Sequence, residues 1–237
     1  MTKQVPRLLG VGLYSRADAV RLLRMTPSRV ARWVKGYSYK LPSTLTAERR
    51  VQPPVVRVRL PRIGDTAPLT FFDLMELRVV KALIDQGLSL QHVRKAATLA
   101  SSLFRTPYPF ASRHIFTDGA EVFASLTREV PTLIELSSRH EQLIAAPIVE
   151  QYLTELDFDP QTSLARRWWP LGRQTPVVLD PSIAFGAPVV AGTATRTDII
   201  AESAAGADAA TVSSAYQISA SAVLAAVRFE SQIAMAA

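Results

Sequence analysis

Apolar residues between positions 14 and 37 recur every three or four residues, the spacing of two short amphipathic helices. Ser15 is a good N-cap for the first helix. Thr26 and Pro27 then restart the pattern as the cap and first residue of a second helix, which Gly36 ends. Two short helices joined by a tight turn predict a helix-turn-helix, in which the second helix enters the major groove of DNA.

The second of these helices has one apolar and one cationic face. Val30, Ala31 and Val34 are expected to pack inward. The opposite face carries side chains that bind guanine edges or phosphates, although any amphipathic helix pair of a small domain shows a similar alternation. The residues predicted to contact DNA from this face are Ser28, Arg29, Arg32 and Lys35.

The positive charge is concentrated at the start of the chain. Residues 1–62 contain 14 lysines and arginines and 2 acids, a net charge of +12, whereas the remaining 175 residues have a net charge of −5. Neutralisation of phosphates by Lys and Arg is the dominant sequence-independent contribution to DNA affinity. The distribution therefore indicates a DNA-binding head on an acidic body, which a purely structural scaffold does not explain.

Residues 55–60 alternate between apolar and cationic side chains, which predicts an edge strand. An ordinary solvated strand has the same pattern. Because the strand follows a helix-turn-helix, we interpret it as a wing that grips the phosphate backbone. The cations assigned to backbone contacts are Arg57, Arg59 and Arg62.

Two further helices are predicted, over residues 71–86 and from a cap at Ser89 to about position 103. With LTFFDLMELRVVKALIDQGLSLQHVRKA, residues 13–103 resemble the winged-helix domain of MerR-type regulators. The resemblance implies a DNA-binding domain. The cysteines of the metal-sensing members are absent, and no long dimerisation helix is evident after position 103.

The middle of the chain gives weaker signals. Residues 114–124, with Asp118-Gly119 at the centre, predict a β-hairpin. A helix is plausible over residues 148–156, and residues 157–176 are interpreted as a linker.

Short strands are predicted at residues 177–179 and within residues 186–193, followed by three helices that begin near Asp198, Asp208 and Ser219. This segment resembles a family of small domains of unknown function that are associated with VapB-type antitoxins. One departure is Ala194, which stands where the family has an arginine after Gly-Thr. The matching positions are Gly186, Pro188, Val189, Gly192, Thr193, Gly206, Tyr216, Ala225 and Ala226.

The predicted fold class is mainly α with short β elements: an N-terminal winged helix-turn-helix and a C-terminal three-helix module with a short strand pair. The expected divisions are 1–104 for the MerR-like domain, 105–176 for the hairpin, helix and linker, and 177–237 for the antitoxin-type module. Residues 177–237 have a net charge of −3, so DNA binding is assigned to the head and protein contacts to this module.

The resemblance to VapB-type antitoxins implies a VapC-like PIN-domain ribonuclease toxin as partner. Such toxins hold a metal with clustered carboxylates, which an inserted arginine can block. Tryptophan and arginine are also the residues most enriched in binding hot spots. The toxin-binding hypothesis therefore falls on Arg166, Arg167, Trp168 and Trp169, with the alternative that both tryptophans pack on this protein's own interdomain surface.

Enzymatic chemistry is not expected. The chain has no cysteine, its three histidines are scattered, and no glycine-rich phosphate loop or nucleophile–base pair is evident, so no catalytic residue, metal site or cofactor is predicted. No apolar run reaches the length of a membrane span and no signal-peptide core is evident, so a cytoplasmic location is expected.

The sequence thus predicts an antitoxin that binds its own operator, holds a ribonuclease toxin inactive and dimerises, as the two-half-site logic of helix-turn-helix proteins requires. The alternative is a MerR-like transcriptional regulator whose acidic body binds a small-molecule effector.

Overall fold

The computed structural model describes residues 10–40, 49–62, 64, 66–117 and 154–235. The fold is mainly α with short antiparallel strands, as predicted. Numbered along these residues, the helices are α1 Arg16–Leu23, α2 Pro27–Lys35, α3 Phe71–Asp85, α4 Leu90–Leu103, α5 His114–Thr117, α6 Thr197–Gly206, α7 Ala209–Tyr216 and α8 Ala220–Ala234. The strands are β1 Tyr37–Lys40, β2 Arg49–Gln52, β3 Leu156–Phe158, β4 Ala165–Trp168, β5 Val177–Leu179 and β6 Pro188–Val190.

Local capping determines where the N-terminal helices begin. The side chains of Ser15 and Asp18 cap α1 reciprocally, and those of Thr70 and Asp73 do the same for α3. The Thr26 hydroxyl accepts the Arg29 N–H at the start of α2. The three helices are confirmed at the predicted positions, as are the caps predicted at Ser15 and Thr26, because each signal lies within four residues of the helix end it specifies.

The wing is formed by other residues than those predicted. β1 and β2 pair antiparallel, with Tyr37 opposite Gln52 and Tyr39 opposite Arg50. The strand predicted over residues 55–60 is wrong, because no part of that segment is a strand. Its apolar pattern instead reflects anchoring to α2: Val55 and Val56 are buried, and both donate their backbone N–H to the carbonyl of Trp33, at 2.9 and 3.1 Å.

The C-terminal sheet has four strands in the order β3-β4-β5-β6, all antiparallel, rather than the predicted strand pair. Residues 157–176 therefore are not a linker, since they supply most of β3 and all of β4. The first arm of the predicted hairpin is also wrong, because it forms the short helix α5, while residues 118–124 lie outside the described residues. Of the helix predicted over 148–156, positions 154 and 155 are helical, Leu156 belongs to β3, and positions 148–153 lie outside the described residues too.

Three helices complete the C-terminal module at the predicted positions, with Asp208 and Ser219 capping α7 and α8. Gln217, in the left-handed region at φ 53°, turns the chain between those two helices. None of the helices in the described parts is alone long and apolar enough to cross a bilayer; α7 and α8 together reach that length and composition but are bent by 107°.

One hydrophobic core joins the two ends of the chain. Trp33 and Phe71 from the N-terminal half share it with Trp168, Leu179 and Phe229. A smaller cluster inside the C-terminal module surrounds Ile200, Val212 and Val223. The predicted division at positions 104 and 176 therefore does not coincide with separate cores.

The junction between the two ends is tight at Tyr14. Its buried hydroxyl donates to the carbonyl of Gly186 at 2.7 Å, and the neighbouring Leu13 N–H donates to the carbonyl of Phe185 at 2.9 Å. Burial and the nearby Asp18 and Asp180 raise the pKa of Tyr14, so it stays a neutral donor. The helix-turn-helix is thus held directly against the C-terminal module.

Candidate nucleic-acid interface

Helix α2 is anchored through one face. Val30 and Trp33 are almost completely buried, while Ala31 and Val34 are half-buried. Trp33 was not among the predicted inward residues, although its spacing of three from Val30 is the helical signal for a shared face. The buried Trp33 ring therefore anchors α2 to the core, and the opposite face of the helix is directed to solvent.

Three of the four predicted α2 contacts are brought together on that opposite face. Ser28, Arg32 and Lys35 are exposed and stand at the i, i+4, i+7 spacing of one helical stripe. The Thr26 hydroxyl lies 3.2 Å from the Ser28 hydroxyl, close to the open N-terminal turn of the helix. The arrangement presents a hydroxyl, a guanidinium and an ammonium along one line, as backbone and base contacts in a groove require.

Arg29 is placed differently from these three. Its Nη2 lies 2.7 Å from Oδ1 of Asp85, and its guanidinium lies 4.6 Å from the centre of the Trp33 ring. Lys81 approaches the same carboxylate at 2.7 Å. Partial burial of Asp85 acts to raise the pKa of its carboxyl, but the hydrogen bonds from Lys81 and Arg29 hold this pKa below its usual value. The positive charge of Arg29 is therefore partly neutralised, and one of its N–H donors is used, by a contact within the protein.

The wing adds cations that the sequence patterns did not single out. Arg49 and Arg50 lie on β2 and are exposed, and their neighbour Val51 is 74 % exposed. The signal was present as an Arg-Arg pair in a segment rich in Pro, Ser and Thr, but no alternating apolar pattern marked the strand. β1 follows α2 directly and pairs with β2, so these arginines belong to the wing that adjoins that helix.

The arginines assigned to the wing, Arg57, Arg59 and Arg62, are exposed but do not lie in it. Arg59 Nη2 is 3.4 Å from the carbonyl of Pro107, and the guanidinium faces the Tyr108 ring. Arg59 is also close enough to Asp73, at the start of α3, for its positive charge to lower the pKa of that carboxyl, against the larger effect of burial, which raises it. Asp85, the partner of Arg29, is 12 residues further along α3, or about 18 Å at the helical rise. The structure therefore does not bring Arg59 to the surface that α2 presents.

A shallow depression of about 480 Å³ lies beside α2. Arg29 and Arg32 line one side, and Ser89 at the cap of α4 lines the other. Ser28 also lines the depression, and both Ser28 and Arg32 are exposed beside it, so the α3–α4 turn does not cover this part of the stripe.

The predicted toxin-binding residues occupy β4 and the position after it. Arg167 Nε is 2.6 Å from Oδ2 of Asp180, Trp168 is buried, and Trp169 Nε1 donates to Asp157 at 2.9 Å. Arg166 is exposed. This placement agrees with the alternative that the tryptophans pack within this protein, and it leaves Arg166 as the member best placed for a partner.

The pKa of Asp180 follows from its surroundings. Burial acts to raise it, but hydrogen bonds from Ser182 and Arg167 hold the pKa of this carboxyl below its usual value. Within the described ranges, no group of three or more histidines and carboxylates is close enough to hold a metal ion.

The recognition helix, its cationic stripe and the adjoining wing define a winged helix-turn-helix, a class of DNA-binding domain. Two family models match the chain: "Putative DNA-binding HTH domain" over residues 12–97 and "Protein of unknown function (DUF433)" over residues 177–229.

The comparison with a curated relative covers nearly the whole chain. It is 31% identical over 221 residues to "Putative antitoxin VapB45" of Mycobacterium tuberculosis, covering 88% of this chain and 89% of the relative. The X-ray crystal structure of Rv2018 from Mycobacterium tuberculosis has the same fold, with a TM-score of 0.66 and 24% identity over 92% of this chain and 98% of that one. The chain belongs to the family of VapB-type antitoxins with a helix-turn-helix domain.

Proposed function

We propose that this DNA-binding antitoxin represses its own operon as a homodimer and neutralises a VapC-like PIN-domain ribonuclease toxin. The observation that carries the DNA-binding half is the exposed stripe of Ser28, Arg32 and Lys35 on α2, a helix that leads directly into the wing that carries Arg49 and Arg50. The similarity to VapB45 supports the antitoxin half.

In the proposed complex, α2 enters the major groove. Arg32 and Lys35 contact base edges or phosphates, and Ser28 contacts a phosphate. Arg49 and Arg50 on the wing neutralise the adjacent backbone. Arg29, Arg57, Arg59 and Arg62 have secondary roles, since Arg29 is partly neutralised by Asp85 and the other three lie outside the wing.

Replacing both wing arginines tests this assignment. We expect Arg49→Ala/Arg50→Ala to weaken binding to the DNA upstream of the protein's own reading frame roughly tenfold, because two phosphate contacts are lost. The slope of log K against log salt should become shallower by about two. Fluorescence anisotropy with a labelled duplex at several salt concentrations measures both quantities.

A matched control is Arg57→Ala/Arg62→Ala, which removes the same charge from two exposed positions outside the wing. Its loss of affinity and change in slope should be distinctly smaller. A larger loss of affinity for Arg57→Ala/Arg62→Ala than for Arg49→Ala/Arg50→Ala would show that residues 57–62, and not the wing, make the main contacts with the DNA backbone.

The toxin half is tested by co-expressing the tagged protein with its immediate genomic neighbours. A small protein should co-purify, and it should cleave RNA only after the antitoxin is removed.

We expect Arg166→Ala to weaken the complex with that protein on the order of tenfold or more, as for a hot-spot arginine. The Arg228→Ala variant, changed at another exposed arginine, should bind like wild type. Undiminished neutralisation by Arg166→Ala would remove Arg166 from the interface. DNA binding without any partner would favour the effector-binding regulator instead.

A further inference from the structure

Tyr37 lies where the recognition helix turns into the wing. It follows Gly36, which ends α2 with φ at 76°. A Cβ at Gly36 would come within 2.3 Å of the carbonyl oxygen of Gln52 and 3.1 Å of Pro53. The turn is therefore closed against the base of β2, and only glycine fits there without a shift of the backbone. The Tyr37 ring is held beside α2 by this geometry.

Two arginines from different helices face the same ring. The guanidinium carbon of Arg32 on α2 is 4.3 Å from the centre of the Tyr37 ring, and that of Arg94 on α4 is 5.8 Å from it. Arg94 Nε also donates to the carbonyl of Pro53 at 2.9 Å. The Tyr37 ring thus connects the recognition helix, the wing and α4, and both guanidinium groups are within the range of a cation–π contact.

The contact with Tyr37 leaves Arg32 free to act on another molecule. The ion pairs found in the described parts of the chain use Arg29, through Asp85, but do not use Arg32. A carboxylate neutralises an arginine and occupies its N–H donors, whereas an aromatic ring orients the guanidinium plane and leaves charge and donors available. An exposed arginine oriented before binding loses less conformational entropy when it binds.

We propose that Tyr37 is a positioning residue that orients Arg32 for contact with DNA, which makes Arg32 rather than Arg29 the principal arginine of the recognition helix. The inference rests on the proposed DNA-binding function and deepens it. Arg94 stabilises this arrangement, because its guanidinium group donates hydrogen bonds to the side chain of Gln52 and the carbonyl of Pro53 at the base of the wing.

The test combines two substitutions of Tyr37 with one of Arg32. Tyr37→Leu removes the ring, and Tyr37→Phe keeps it. Binding of each variant is measured on a duplex from upstream of the protein's own reading frame and on a scrambled duplex of equal length. We expect Tyr37→Phe to bind like wild type. Tyr37→Leu should bind about two- to fivefold more weakly, the worth of an exposed cation–π contact, and should have almost no further effect in an Arg32→Ala background.

A readout without DNA separates positioning from folding. The Nε–H resonance of Arg32 should shift in Tyr37→Leu, because the ring current is lost, and should stay in place in Tyr37→Phe, with thermal unfolding reporting the integrity of the fold. Equal losses of affinity from Tyr37→Leu in both Arg32 backgrounds, or no loss in either, would overturn the inference while leaving DNA binding intact. A wild-type protein that binds neither duplex would overturn the proposed function and this inference with it.

Discussion

Gly186→Ala is expected to lower the free energy of unfolding by about 2–4 kcal/mol, or the Tm by roughly 5–15 °C for a chain of this size. A Cβ at this position would come within 2.3 Å of the Tyr14 hydroxyl oxygen and 3.1 Å of the Gly12 backbone. Gly186 also has φ at 85°, where an L side chain is strained. Because the buried Tyr14 cannot move aside freely, the junction between the helix-turn-helix and the C-terminal module must open.

Gly192→Ala is the matched control for that variant. Gly192 lies in the same module with φ at 81°, and a Cβ there would meet nothing within 4 Å. It therefore isolates the cost of the backbone conformation, about 1–2 kcal/mol. Differential scanning calorimetry of both variants gives the difference that belongs to the Tyr14 contact. Equal Tm values for the two would mean that the junction is not close-packed at Gly186.

The second large effect concerns Glu76, a carboxyl buried under the turn after α4. Its Oε1 accepts the N–H groups of Phe110 and Ala111, at 2.6 and 3.1 Å. Burial raises the pKa of Glu76 to about 8, and nearby Asp73 adds to the rise, while the two N–H groups and Arg59 act against it. At neutral pH the native protein therefore holds a proton on Glu76 that the unfolded chain has released.

This difference makes the stability depend on pH. The contribution of Glu76 is greatest below its unfolded pKa of about 4.5 and declines as pH rises towards 8, because the unfolded state then binds fewer protons than the native state. Glu76→Gln keeps an oxygen for the two N–H groups and removes the titration. We expect the variant to match wild type near pH 5 and to exceed it by on the order of 3 kcal/mol at pH 7.

Urea unfolding followed by tryptophan fluorescence at several pH values between 5 and 8 measures this gap. Glu202→Gln removes a carboxyl from an exposed position on α6 and should follow the wild-type curve throughout. A constant offset between Glu76→Gln and wild type across the range would show that Glu76 does not titrate there. Glu76→Ala is a less direct test, because it leaves two buried N–H groups without their acceptor.

The helices were predictable because their signals are local. Ser15 and Asp18, or Thr70 and Asp73, lie in one helical turn, so their hydrogen bonds form in any structure that starts a helix there. The charged head was also evident from composition. The two strands of the wing were not predictable in this way, because their sequences YSYK and RRVQ carry no alternating apolar pattern.

The error at residues 55–60 has the same origin. Val55 and Val56 are apolar because they pack under the end of α2, and a period-two pattern does not distinguish that role from a strand. Arg166 to Trp169 were similarly ambiguous. Tryptophan and arginine are typical of interfaces but also of a strand that packs on its own core, and Trp168 contacts partners far away in the chain.

The sequence by itself thus determined the helix-turn-helix, the C-terminal helices and the concentration of cations that indicates DNA. Only the tertiary structure decided which of those cations face outward together. Arg29 and Asp85 are 56 residues apart, and no local pattern relates them. Arg32 instead faces the Tyr37 ring across the turn at Gly36, and that turn is closed against the end of β2. A helix cap depends on residues that are neighbours in sequence. Whether an arginine can contact DNA depends instead on whether a side chain distant in sequence already binds its guanidinium group.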